Sequence, residues 1–217
     1  IYTLIGPPIG TDWESLFEAG YVAEPEVEVR FLPWVSEAYR DEYAASDGQG
    51  RRQLAASNPA KIREISAIVH QNRGSKAIIF VEYIDQGDEI ADALNVPFIN
   101  GETPHARRSR LFDRFRSGAV NTLIVSRVGD EGIDLPDAEV AIAASGLGGS
   151  RRQGAQRAGR TMRPIGKARM YVLATQGTRE EDFARNRTKH LAARGVRVRE
   201  TEPVAFSDVR MSEATEE

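Results

Sequence analysis

From residue 76 onward, short apolar runs alternate with longer stretches whose apolar residues recur every three or four positions. The short runs are typical of strands buried on both faces, and they lie at residues 77–81, 96–99, 122–125, 140–144, 170–173 and 196–198. The longer stretches have the spacing of amphipathic helices, and they lie at residues 85–94, 104–117 and 179–194, with another helix beginning near residue 150. This alternation predicts an α/β fold in which helices cover both faces of a parallel sheet.

The first 75 residues are less regular. We expect a strand at residues 27–32 and a helix at residues 59–73 that leads into the sheet. Between them, residues 46–52 read S-D-G-Q-G-R-R, which predicts a flexible loop. In open parallel sheets, ligands bind at the carboxyl ends of the strands. The segments that follow residues 125 and 144 are therefore where we expect the chemistry.

The composition excludes several classes of protein. The chain has no cysteine, so it has no disulfides and no cysteine-based zinc site. Its three histidines, His70, His105 and His190, have no second ligand at helical spacing, and we expect no metal site. No apolar run approaches the roughly 20 residues of a membrane helix, so we expect no membrane partner. Because the chain begins at Ile1, we expect a fragment or a processed product.

The net charge of −3 conceals a strong asymmetry along the chain. Residues 151–199 carry 14 basic and 3 acidic side chains, a net charge of +11. Such a concentration favours a phosphate-bearing partner. The alternative is a solvated helical face in an arginine-favouring proteome, because the chain has 25 Arg and only 4 Lys.

The most informative segment contains Q-R-x-G-R-x-x-R at residues 156–163. In a helix, Gln156, Arg160 and Arg163 share one face, and Pro164 marks its end. Two guanidinium groups and an amide without a nearby carboxylate favour an anion opposite them, and a nucleoside triphosphate is the obvious candidate. The alternative is that the two arginines pair with acids distant in the sequence.

A second segment follows the predicted strand at residues 122–125 and reads S-R-V-G-D-E-G-I-D-L-P. Gly132 permits close backbone approach, and Asp134 can accept hydrogen bonds from ribose hydroxyls. A turn with a solvated aspartate is the alternative. A third candidate lies at the start of the helix after residue 103, where Thr103 with Arg107 or Arg108 can hold a backbone phosphate. Here the alternative is a Thr103 cap with solvated arginines.

These segments resemble motifs of superfamily 2 helicases. Residues 156–163 look like motif VI, residues 126–136 like motif V, and residues 76–83 like motif IV. Several short sequences also resemble the xeroderma pigmentosum group B (XPB) family. They are V-G-D, D-L-P, G-G-S-R-R-Q and A-Q-R, together with N-P-x-K at residues 58–61. Gly154 and Thr161-Met162 depart from the family pattern and leave the branch of the family open.

The resemblance implies a RecA-like second motor lobe at residues 59–200 of a 3′–5′ DNA helicase of repair or transcription. It implies that Gln156, Arg160 and Arg163 act on the γ-phosphate, the two arginines as fingers, and that Gly132 and Asp134 contact the nucleotide. Ser126 and Arg127 would contact nucleic acid. Residues 1–58 would link to the first RecA-like lobe, and residues 201–217 would form an acidic tail.

The sequence contains no G-x-x-x-x-G-K-[ST] phosphate loop and no D-E-x-H acid pair. By the resemblance, these elements belong to the first lobe, which would hold most of the ATP and Mg²⁺. A nuclease or a subunit of a transcription or repair complex is the expected protein partner. The location would be cytoplasmic and nucleoid-associated in a prokaryote, or nuclear in a eukaryote. The alternatives are a non-catalytic nucleic-acid-binding module and a different superfamily 2 translocase.

Overall fold

The computed structural model describes residues 26–126, 138–145, 169–193 and 197–201. The strands of this part of the chain are β1 Glu26–Leu32, β2 Ala77–Val81, β3 Phe98–Ile99, β4 Thr122–Ser126, β5 Val140–Ala143, β6 Arg169–Thr175 and β7 Arg197–Thr201. The helices are α1 Glu37–Ala45, α2 Gly48–Ala56, α3 Ala60–Gln71, α4 Ile84–Leu94, α5 His105–Arg116 and α6 Arg179–Ala193. The described strands form one sheet in the order β3-β4-β2-β5-β6-β1-β7.

Every pair of neighbouring strands in this sheet is parallel. The three strands β2, β4 and β5 are buried along their whole length, which explains why the sequence shows continuous apolar runs there. In a parallel sheet the crossover helices cover both faces, so side chains on either side of a strand are removed from water. The predicted α/β fold with a parallel sheet is confirmed.

The two faces of the sheet carry separate cores. On one face, Phe112 and Phe115 of α5 pack with Phe80 of β2 and Val125 of β4. On the other face, Ile65 and Ile68 of α3 and Ile90 of α4 pack with the side chains of β2 and β4 that point the opposite way. The helices α4 and α5 therefore lie on opposite faces of the sheet.

The strand β1 lies inside the sheet, between β6 and β7, with Val29 opposite Val172. Its apolar side chains join both cores, since Val29 belongs to one and Leu32 to the other. Part of the segment before residue 59 is thus built into the sheet. The division of the chain into residues 1–58, 59–200 and 201–217 stays a prediction.

The prediction of a flexible loop at residues 46–52 was wrong, because helix α2 begins at Gly48. Arg51 explains the order of this turn. Its guanidinium donates to the carbonyls of Tyr43 and Ala44 at the end of α1, at 3.1 and 2.8 Å, and its Cζ lies 5.4 Å from the centre of the Tyr43 ring. These contacts satisfy carbonyls that a helix end leaves unpaired, and they join α1 and α2 as a helical hairpin.

The alternative in which Thr103 caps the following helix was also wrong. The N-cap of α5 is Pro104, which has no side-chain hydrogen bond to the helix. The Thr103 hydroxyl instead donates to the side-chain Oδ1 of Asn100 at 3.1 Å and accepts from the backbone N–H of Asn100 at 3.0 Å. A local turn between the two side chains thus takes the place of the cap.

Candidate functional site at the carboxyl edge of the sheet

Four neighbouring strands, β3, β4, β2 and β5, bring their carboxyl ends to one edge of the sheet. Ser126 at the end of β4 is level with Val81 at the end of β2, and Ala143 at the end of β5 is level with Phe80. The strands β4 and β5 are separated by β2 alone, so their ends lie roughly 9–10 Å apart. Two of the three candidate segments leave the sheet from here, and the third follows β3.

The proposed nucleotide ligands follow these strand ends, and so does Arg127, which is predicted to contact nucleic acid. Arg127, Gly132 and Asp134 come after β4, and Gln156, Arg160 and Arg163 come after β5. All six lie outside the described residues, so their roles stay predictions. The strand ends show only that both segments begin at the same edge, as the sequence predicted.

Ser126 is 2% exposed, and its hydroxyl has no hydrogen-bond partner among the residues that the structure describes. A buried polar group that is left unpaired costs about 1–3 kcal/mol. Such exceptions are uncommon in folded proteins and call for a ligand, a water or a functional reason. The hydroxyl lies at the end of β4, where the resemblance places a nucleic-acid contact.

Arg108 supplies a second unpaired group at this edge. The Arg108 side chain is half-buried, and its Nη2 donates to the Thr103 carbonyl at 3.2 Å. Its Nε is buried and has no partner within the described ranges. In this part of the chain, the Nε of Arg108 and the Oγ of Ser126 are the two buried side-chain polar atoms without a partner. Both belong to the carboxyl edge formed by the adjacent strands β3 and β4.

The other two residues predicted to contact nucleic acid behave differently. Arg107 is exposed and forms no ion pair with another described residue, so its guanidinium is available to an anion. The Thr103 hydroxyl has only one hydrogen, which it donates to Asn100. A phosphate oxygen can only accept, so Thr103 would bind one only after giving up that bond. Its predicted contact is not tested by the structure.

A buried amide, Gln86, organises the end of β5. Its Nε2 donates to the carbonyls of Ala56 and Ala144, at 2.6 and 3.4 Å. Its Oε1 accepts from the Ser145 hydroxyl at 2.9 Å and from the Glu82 amide at 3.4 Å. Both donors and both acceptor positions of the amide are therefore used. The sequence analysis missed Gln86, because three of its four contacts lie 30 to 59 residues away in the chain.

A second buried polar cluster lies at the carboxyl ends of β1 and β6. The ammonium of Lys61 contacts both carboxylate oxygens of Glu180, at 2.7 and 3.0 Å. The same carboxylate accepts from the Thr175 amide at 3.0 Å, and Asn58 Nδ2 donates to the Pro33 carbonyl at 2.9 Å. Complete burial lowers the pKa of Lys61 below its ordinary value, and the charge of Glu180 acts in the opposite direction. This cluster fixes the start of α3 to the sheet.

Two kinds of site are not found in the described part of the chain. No group of three or more His, Asp or Glu side chains there is placed to hold a metal ion. None of the helices described is both long and apolar enough to cross a bilayer.

The sheet and its helices have the fold of a RecA-like helicase lobe. The C-terminal domain of the DEAD-box protein Dbp5 superposes with a TM-score of 0.58 and 13% sequence identity, covering 91% of this chain and 99% of that chain. At that identity the likeness shows the fold alone. It confirms the predicted fold class.

Sequence similarity narrows the class to one family. The chain belongs to the ERCC3/RAD25/XPB C-terminal helicase family, which it matches over residues 16–213. Rad25 of Haloarcula marismortui, whose name describes a DNA 3′-5′ helicase, is 64% identical over 205 residues, or 94% of this chain and 33% of that protein. The DNA 3′-5′ helicase XPB of Kineococcus radiotolerans is 39% identical over 200 residues, or 90% of this chain and 36% of that protein. The chain thus spans about a third of the length of these relatives.

Proposed function

We propose that this chain is the second motor lobe of an ATP-dependent 3′–5′ DNA helicase or translocase that acts in DNA repair or transcription. The observation that carries the proposal is a pair of buried groups at the carboxyl edge of β3 and β4, Arg108 Nε and Ser126 Oγ, which have no hydrogen-bond partner among the described residues. They occur in a chain of the XPB family. The names of its relatives from Haloarcula and Kineococcus describe the same polarity and the same nucleic acid.

The edge formed by β3 and β4 grips the DNA backbone. Ser126 and Arg108 each have a donor there that no described residue accepts from, and Arg107 adds an exposed positive charge. Donors of this kind bind phosphate oxygens without reading the base sequence. Binding should therefore be insensitive to sequence and weaken steeply as salt is added.

The segment after β5 completes the ATP site. Gln156 contacts the γ-phosphate, and Arg160 and Arg163 stabilise the charge that develops there, as arginine fingers do. In the segment after β4, Gly132 and Asp134 contact the nucleotide, and Arg127 contacts the nucleic acid. The first lobe supplies the phosphate loop and holds most of the ATP and Mg²⁺. The two lobes then open and close on DNA as ATP is hydrolysed.

The protein partners and the location follow from the family alone. A nuclease or a subunit of a transcription or repair complex is the partner that we propose. The location is nucleoid-associated in a prokaryote, or nuclear in a eukaryote.

The proposal is tested by ATP hydrolysis with and without DNA. The 217-residue chain alone should hydrolyse no ATP, because its sequence has no phosphate loop. Joined to the first lobe of a close relative, it should show hydrolysis that DNA stimulates. Hydrolysis by the isolated chain would refute the proposal that the first lobe is needed for ATP hydrolysis. A joined protein that binds DNA but never hydrolyses ATP would support a non-catalytic binding module instead.

A further inference from the structure

The helix α5 has an arginine-rich flank, of which the proposed grip at the edge uses Arg107 alone. Arg107, Arg110 and Arg114 lie three and four residues apart, which places them within about 60° of one another around the helix. All three are exposed, whereas Leu111 and Phe115 of the same helix are buried against the sheet. We call these three residues the arginine flank.

No acid among the described residues neutralises the arginine flank. Within the described residues, none of its members forms an ion pair, although Arg116 of the same helix pairs with Asp113 at 3.1 Å. Arg110 Nε donates only to the Ala106 carbonyl of its own helix, at 3.3 Å. The helix has five arginines and one aspartate, so it carries a charge of +4. Its free guanidinium groups favour an anionic partner.

A helix on the opposite face of the sheet has the reverse charge. Helix α4 exposes Asp85, Asp88, Glu89 and Asp92 and contains no Lys or Arg, so it carries a charge of −4. The helices α4 and α5 pack on opposite faces, so a polyanion is repelled from the surface of α4 and attracted to that of α5. This contrast is a property of the surface, and it directs nucleic acid to the side of α5.

The direction in which the arginine flank runs from the carboxyl edge determines which form of nucleic acid can contact all three arginines. Helix α5 starts at the carboxyl edge, because it follows β3 directly. It ends at the opposite edge, where Lys76, just before β2, donates to the Arg116 carbonyl at 2.7 Å. The flank therefore runs away from the edge, and seven residues of helix rise about 10.5 Å from Arg107 to Arg114. That distance is close to the major-groove width of B-DNA, about 12 Å.

We propose that the arginine flank binds double-stranded DNA, with Arg107 near the strand gripped at the edge and Arg110 and Arg114 on phosphates of the complementary strand. A single strand lying along the edge would pass Arg107 and would leave Arg114 about 10 Å away. The inference rests on the proposed function only in taking DNA as the polyanion.

The test compares duplex and single-stranded DNA of equal length with the full 217-residue chain, by fluorescence anisotropy over a salt series. Arg110→Gln/Arg114→Gln should lower the slope of log affinity against log salt by about 1.8 on duplex, because each phosphate that an arginine neutralises contributes about 0.9 to that slope. The decrease on single-stranded DNA should be much smaller. Arg110→Lys/Arg114→Lys should keep most of the slope, because neutralising a phosphate needs only the charge.

The matched control is Arg40→Gln/Arg73→Gln, which makes the same change in net charge at two exposed positions outside α5. This control should leave the slope nearly unchanged. Equal decreases in the control and the flank variant, or equal decreases on duplex and single strand, would overturn the inference and leave the edge grip standing. If the wild-type chain binds neither DNA at low salt, the proposed function fails as well. Thermal melts of each variant establish that it is folded.

Discussion

The hydroxyl of Ser145 donates a 2.9 Å hydrogen bond to the side-chain oxygen of Gln86, 59 residues earlier in the chain. The same amide donates to the carbonyl of Ala56, at the end of α2. One buried side chain thus joins the exit of β5 to the helical hairpin that follows β1. Since the proposed arginine fingers follow Ser145, the direction in which the chain leaves the sheet depends on Gln86.

We expect Gln86→Leu to lower both stability and catalysis. The change leaves the Ser145 hydroxyl and the Ala56 carbonyl without partners, at about 1–3 kcal/mol for each buried group. In the two-lobe protein, kcat for ATP should fall even at temperatures where the variant is fully folded.

The control for this variant is Asn72→Leu. Asn72 is a buried amide at the opposite edge, where it donates to the Ile68 carbonyl and accepts from Arg169. This variant should lose a similar amount of stability and keep its kcat. An equal decrease of kcat in both variants would show that Gln86 contributes to stability only and has no specific effect on the segment after β5.

Two serines at the same edge should respond in opposite ways to alanine. Ser126→Ala removes a buried hydroxyl that has no described partner, so the melting temperature should hold or rise. Ser145→Ala removes a bonded hydroxyl and should lower the melting temperature, because the buried Gln86 Oε1 then loses the hydrogen bond that Ser145 donates to it. DNA affinity should fall for Ser126→Ala and stay near wild type for Ser145→Ala. Calorimetry and anisotropy on both variants check this, and a destabilised Ser126→Ala with normal DNA binding would contradict it.

The Lys61–Glu180 pair should show strong non-additivity. Glu180→Leu strands a fully buried ammonium, and breaking one side of a buried pair costs about 3–5 kcal/mol. The double variant Lys61→Met/Glu180→Leu removes both charges, so we expect it to be more stable than Glu180→Leu alone. Urea unfolding of the two single variants and the double variant measures the coupling. Additive effects would show that the two charges act independently.

The lowered pKa of Lys61 predicts the sign of a pH effect. Between that lowered pKa and the ordinary value of 10.5, the unfolded chain holds this proton more tightly than the folded chain. Through this residue, the free energy of unfolding therefore rises with pH across that window. Compared with Lys61→Met, the wild type should gain stability as the pH approaches about 10.5. A wild type that loses stability relative to the variant would show that the attraction of Glu180 outweighs burial.

The sequence predicted the buried strands well, because a strand that is buried on both faces has a continuous run of apolar residues. The strand predicted at residues 122–125 is Thr122–Ser126 in the structure, and the helix predicted at residues 59–73 is Ala60–Gln71. Such local patterns carry their own signal. They do not specify partners, so the place of β1 between β6 and β7 could not be derived.

The errors arose where other contacts overrule local propensity. Residues 46–52 contain two glycines and predicted a loop, yet Arg51 orders them by reaching back to Tyr43 and Ala44. A cap at Thr103 was one of two alternatives, yet its hydroxyl donates to Asn100 Oδ1 instead.

In the candidate site, a motif indicated Ser126, and the start of a helix indicated Arg107 or Arg108. Ser126 is the last residue of β4, and both arginines lie in the first turns of α5. The structure added Arg108 as a half-buried arginine whose Nε has no described partner, and Gln86 as a fully bonded amide. Neither state is visible in one sequence, because each depends on which side chains the fold brings alongside.

The most direct test of a catalytic second lobe is the turnover of Arg160→Ala and Arg163→Ala in a two-lobe protein, measured beside their melting temperatures. We expect ATP binding to stay nearly intact and kcat to fall by about 10³-fold or more, as for arginine fingers. Arg→Lys should restore little, because a single ammonium cannot replace the planar guanidinium fork. If both alanine variants turn over near the wild-type rate, or lose only stability, the proposal that this lobe completes the ATP site is wrong.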